Sequence, residues 1–228
     1  MKKIYPYLLV LVFILPSCSV LQNFALEPSS METISALREV LNSSTFRAIS
    51  SLKNLHENGP ESMLPEEFQP VIGKLRSIGL GGEIDNVTRQ IGNVSGVVLS
   101  ESQGIVTDAI KEVDFGDAVA VVLGGEDAAT QVLRQAMYAS VKNRYSTRLE
   151  QELQKTNALT YWPMAVGAYN LFAENKINSS LSDFLSERAV DALFITMGKE
   201  EAVIRKNPSS LGKAVVTKVF DYYQNKKS

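Results

Sequence analysis

Three acidic positions, one histidine and two glycine-rich turns are where residue type and spacing in this sequence could support chemistry. Asp117 closes "DFGD", Asp191 lies in "SERAVDALF", and Glu200 stands beside Glu201 in "GKEEAVIRKNP". Two carboxylates at a set separation could cleave a glycosidic or related bond, one as the acid and one as base or nucleophile. Asp191 is flanked by Val190, Leu193 and Phe194. An acid in apolar company wants a basic partner, and Arg134 or Arg144 could supply one, so a structural ion pair competes with a catalytic role. His56, the sole histidine, sits in the polar helix end "NLHENGP", where a cation near free carbonyls is mildly favoured. One histidine and one cysteine leave no transition-metal ligand set. "GLGG" and "LGGEDAAT" lack the spacing of a phosphate-binding loop, so no cofactor is expected. Amides at Gly125–Asp127 could take an anion, yet Glu126 and Asp127 crowd that positive helix end with their own charge.

A second set is aromatic. "TYWPMAVGAYNLF" gathers Tyr161, Trp162, Met164, Tyr169 and Phe172. Rings with polar tips can line a pocket for a small or lipidic ligand, with Arg134 as a candidate polar contact, or they can simply fill a core.

Cys18 is the only cysteine, so no disulfide within the chain is possible. It follows Met1-Lys2-Lys3 and an apolar run from Ile4 to Leu15. Twelve helical residues reach about 18 Å, short of a hydrocarbon core of about 30 Å, so a signal peptide is expected rather than a span. "Leu15-Pro16-Ser17-Cys18" resembles the lipobox of bacterial lipoproteins, with Pro16 where a small residue is usual. That resemblance implies lipidation of Cys18 and cleavage before it. Ser19, rather than aspartate, follows the cysteine, which by analogy with enterobacterial sorting favours the outer membrane, facing the periplasm.

The elements around these residues read as helical throughout. Residues 1–17 are expected to form the signal peptide, 18–30 a tether and 31–226 one helical domain of about seven to nine helices. Ile34, Leu37, Leu41, Ala48, Leu52 and Leu55 step by three or four, with Thr45 filling the gap and Phe46 and Ile49 widening the stripe. Further helices are expected over 65–79, from Glu83 to Val113, at "AVAVVL", from Glu126 to about Lys155, Tyr161–Asn175, Ser182–Lys206 and Ser209–Gln224. Gly79 or Gly81 should cap the second helix and "DFGD" should cap the fourth. A net charge of −2, with both signs interspersed, argues against nucleic acid as a partner.

The order of segments resembles a known family. "ALREVLNSSTFRAISSL", "LPEEFQPVIGKLRSIGLGGEID", "DFGDAVAVVLGGEDAATQVLR", "AYNLF", "RAVDALFITMGKEEAVIRKNP" and "LGKAVVTKVF" look like the bacterial family catalogued as domain of unknown function 4197. "GGEDAAT" with Arg134, and "EEAVIRKNP", are the most specific pieces. Asn207 and Gly198 stand where that family more often carries aspartate and alanine. The resemblance implies an exported, often lipid-anchored helical protein, and it implies no activity. The expectation is a non-enzymatic envelope lipoprotein that binds a ligand or an envelope partner. The alternative is a hydrolase using paired carboxylates.

Overall fold

A computed structural model of the protein describes residues 26–56, 81–171 and 180–227, together with 72–73, 76–77, 79 and 176. Residues 1–17, expected to form a signal peptide, and Cys18 lie outside the described residues, as does most of the helix expected over 65–79.

α1 (Ser30–His56) begins at a reciprocal cap. The Glu32 amide donates to the Ser29 hydroxyl at 3.2 Å, and the Ser29 amide donates back to the Glu32 carboxylate at 2.9 Å. Leu37, Leu41, Thr45 and Ala48 are fully buried along one face. Thr45 can lie there because its hydroxyl donates to the Leu41 carbonyl at 2.7 Å. Phe46, expected to widen this stripe, is 58% exposed instead. Nine residues after Leu37 the helix has turned through about 900°, which points Phe46 away from the core.

α2 (Gly81–Glu112) follows Gly79, whose φ of +91° identifies it, rather than Gly81, as the left-handed turn residue. α3 (Ala118–Leu123) is one short apolar helix, and α4 (Ala128–Leu153) starts after the glycine pair. α5 (Ala158–Asn170) begins three residues before the expected Tyr161, so Pro163 lies in its second turn. α6 (Leu181–Lys206) is capped by the Ser180 hydroxyl, which accepts from the Asp183 amide. The last expected helix is split: Pro208–Leu211 forms a 3-10 turn, Gly212 ends it at φ +63°, and α7 runs from Ala214 to Lys227.

α1, α4 and α6 make the centre of one bundle. α6 packs on α4 and on α1, α2 packs across the α1 and α4 pair, and α7 and α3 lie on α1. Leu37 and Leu41 of α1, Ile110 of α2, Leu133 and Tyr145 of α4, and Leu193 and Phe194 of α6 are among the large side chains closed from solvent. At about 1.5–3 kcal/mol for each such side chain, their burial is the main term holding the bundle. The fold is all-α, with seven helices and no strand among the described residues. No described helix is long and apolar enough to cross a membrane.

Candidate functional site

The three candidate acids sit on different elements and serve different neighbours. Asp117 is the N-cap of α3 and accepts from the Ala120 amide at 3.0 Å, while Asp114 folds the turn before it by accepting from the Gly116 amide. Asp191 meets Arg134 at 2.7 Å, and Arg134 is therefore the partner among the two arginines considered. Arg144 instead reaches Glu112 on α2, at 3.3 Å. The Arg134–Asp191 pair is about one-third exposed, so Asp191 is not sealed in the core. Tyr138 shares this surface: desolvation, then the charge of Asp191, pushes its hydroxyl up to about 12. Glu200 faces α1, with its carboxylate 4.0 Å from Arg47. Asp191 and Glu200 are nine residues apart on one helix, hence about 13.5 Å along it and half a turn around it. These carboxylates do not converge on one cleft.

The aromatic set also divides. Trp162 is buried on α5 and lies 5.0 Å from the Phe184 ring, as a core contact. Tyr169 is half-buried, and Tyr161 points outward with Met164 and Leu171, the last two 70% and 78% exposed. A spacing of three places Tyr161 and Met164 on one side of α5, and Leu171 caps its end. Arg134 stands on α4 beside Asp191, on a shallow groove of about 400 Å³ lined also by Asp127, Gln131, Phe194 and Gly198. Trp162, Tyr161 and Tyr169 do not line that groove. His56 is the last residue of α1, and its side chain is outside what the structure describes.

The most deeply buried convergence of charge lies at Glu201 and Arg205, neither of them a candidate site residue in the sequence. Glu201 is fully buried and accepts from the Ala129 amide at 3.0 Å, the Thr130 amide at 2.7 Å and the Thr130 hydroxyl at 2.6 Å. Its carboxylate thereby caps the first turn of α4 from a helix more than seventy residues later. The amides it takes are those of Ala129 and Thr130, beyond the Gly125–Asp127 turn where an anion was considered, so the chain itself fills the positive end of this helix. The Asp127 side chain makes no cap bond to the helix and is held by the Gln131 side chain instead, at 2.7 Å.

Arg205, one turn further along α6, donates to Glu201 at 2.7 Å. Its other nitrogens donate to the Val122 and Val121 carbonyls at 2.8 and 3.0 Å, closing the C-terminal end of α3. The guanidinium lies over the Phe220 ring of α7, 5.2 Å from its centroid. One buried ion pair thus ties α3, α4, α6 and α7. Close packing completes it, since a Cβ on Gly124 would stand 2.9 Å from the Ala128 Cβ, and one on Gly198 would stand 3.2 Å from the Asp127 Cβ. The signal for Glu201 was its register. It falls in phase with Val190, Phe194 and Met197 on the buried face of α6, whereas Glu200 falls outside it.

Further along α4, Arg148 grips both oxygens of Glu101 on α2, at 2.5 and 2.9 Å, and also pairs with Glu152. The Arg148 contact holds the Glu101 carboxyl below its usual range. A groove of about 490 Å³ runs here between α2 and α4, lined by Asp108, Asn143, Arg144 and Thr147 among others. No group of three or more histidine, cysteine or acidic side chains suited to a metal ion occurs among the described residues.

Compared with known proteins, residues 27–221 match the family described as "Protein of unknown function (DUF4197)", and the chain belongs to that family. No curated protein and no solved structure matches it. The two segments most specific to the resemblance, "GGEDAAT" and "EEAVIRKNP", are the two halves of the Glu201–Arg205 clasp.

Proposed function

We propose that this chain is a lipid-anchored, non-enzymatic domain of a bacterial cell envelope. Cys18 carries the acyl chains, the outer membrane holds them, and the domain faces the periplasm to bind a ligand or an envelope partner. The observation that carries the non-enzymatic part is the engagement of every candidate acid. Asp117 caps a helix, while Asp191 and Glu200 face different arginines from opposite sides of α6. Acid–base cleavage would need two of them within one cleft. Support for a binding role comes from α5, a helix without a charged residue that turns Tyr161 and Met164 outward and is capped by the exposed Leu171. The lipobox-like "LPSC" supports the anchor, because several acyl chains, at about 0.8 kcal/mol per buried methylene, hold a protein to a bilayer for good.

Cys18→Ser is expected to release the chain from the membrane fraction or leave it uncleaved. A variant that stays cleaved and fully membrane-bound overturns the anchor. On the second half of the reading, the purified chain should leave ester and glycoside substrates intact. Turnover that Asp191→Asn or Glu200→Gln abolishes would restore the hydrolase alternative.

A further inference from the structure

We infer that one end of the domain, where α1 begins and α7 finishes, rests on the lipid surface, with Leu26 and Met31 in the headgroup region. The inference depends on the lipid anchor proposed above and adds an orientation to it. Leu26 is 78% exposed and Met31 is 82% exposed, only five residues apart at the start of α1. Single exposed apolar side chains are ordinary on a protein surface, so exposure alone decides nothing. The length of chain preceding them does. Cys18 and Leu26 are eight residues apart, and fully extended backbone covers at most about 3.6 Å per residue, or about 29 Å. A domain of about 200 residues has a radius of gyration of about 16 Å and is therefore wider than this tether is long. An acylated Cys18 therefore keeps Leu26 within a domain's width of the bilayer, and the entry end is the end brought nearest.

The rest of that end suits an interface. α7 runs antiparallel to α1, as the Glu32–Lys218 and Glu27–Lys226 pairs at 2.6 and 4.0 Å require. This brings Lys226 beside Glu27, with its ammonium 5.5 Å from the centre of the Tyr222 ring. Long lysine stems and tyrosines are side chains that bury their apolar parts and keep a polar tip at headgroup level. The outward stripe of α5 is elsewhere: the Asn157 amide at its start donates to Gln90, in the first third of α2. The opposite end of α2, at Lys111, is the one that receives Arg38 of α1. Seating the domain on the entry end therefore keeps the start of α5, with the exposed Tyr161 and Met164, away from the bilayer.

The test uses the acylated full chain in vesicles of phosphatidylethanolamine and phosphatidylglycerol. Its Cys18 thiol is consumed by the lipid, so Met31→Cys or Lys199→Cys introduces a single thiol for a polarity-sensitive fluorophore. Lys199 is exposed on α6 beside Glu200, which faces Arg47, about 24 Å along α1 from Met31. The probe at 31 should shift its emission to the blue and be quenched several-fold more by brominated acyl chains than the probe at 199. Equal, water-like emission from both, in protein that floats with the vesicles, overturns the orientation and leaves the anchor standing. Protein that carries no acyl mass and does not float overturns the anchor and the orientation with it.

Discussion

A glutamate and an arginine one helical turn apart occur at two places in this molecule, with opposite consequences. On α6, Glu201 and Arg205 are buried, and their hydrogen bonds run to the ends of α3 and α4 as well as to each other. On α4, Arg148 and Glu152 lie nearer solvent, where Glu101 and Lys155 compete for the same contacts. In the first pair, taking both charges out of water is offset only because five further donors and acceptors are satisfied. Water could replace each bond of the second pair at little cost. The chemical identity of a charged pair says little about its strength until its surroundings are known.

Arg205→Ala should have the largest effect of any single substitution in either pair. It strands the Glu201 carboxylate and two carbonyls in the core, so a loss of about 3–5 kcal/mol is expected from urea unfolding. A loss no larger than that of Arg148→Ala would show that the clasp is not dry. Replacing both Glu201 and Arg205 by methionine sharpens the point. Buried pairs can often be exchanged for apolar residues at no cost, but here the Ala129 and Thr130 amides would lose their acceptor. The double variant should therefore remain less stable than the parent, by about 2 kcal/mol.

Gly124→Ala comes next. Its Cβ would meet the Ala128 Cβ at 2.9 Å and the Ala120 carbonyl oxygen at 3.2 Å, and overpacking of that kind costs about 1–3 kcal/mol. An unchanged unfolding midpoint would mean that the α3–α4 corner can open. Arg148→Ala should shift the unfolding midpoint far less than Arg205→Ala does, and less again in high salt.

The smallest effect is a pH dependence at the start of α1. Lys218, then the Ser29 amide and hydroxyl, hold the exposed Glu32 carboxyl at about 2. Its folded value lies below its unfolded one, so this contribution is intact above about pH 4.5 and fades as the pH falls toward 2. Lys218→Ala should flatten the acid limb of the stability curve in that window. A limb unchanged by the substitution would assign the acid loss to other carboxylates.

Much of the architecture was legible in the sequence because helical period and cap chemistry are local. Leu37, Leu41 and Ala48 announced the buried face of α1, Asp117 announced the cap of α3, and of the two arginines open to Asp191, Arg134 or Arg144, the fold selects Arg134. What stayed hidden was set by contacts distant in sequence. Adjacent glutamates at 200 and 201 read alike in a row of letters, yet about 100° of helix rotation sends one to Arg47 and the other to the amides of α4. The early start of α5 and the break at Gly212 were missed for a different reason. Each turns on a few residues at a helix end, where competing local conformations differ little in energy.

The cap on α4 also fixes an order of events. A chain that appears amino end first has made α3 and all of α4 well before Glu201 exists to receive the Ala129 and Thr130 amides, and before Arg205 can close the carbonyls of α3. Until then the middle of the molecule has helical propensity but loose ends. The loop that must close is about seventy residues long, and its entropy rises only slowly with length, so the delay comes from waiting for the segment rather than from joining it. The clasp can therefore close only once Glu201 and Arg205 have emerged, after α3, α4 and α5 are already complete.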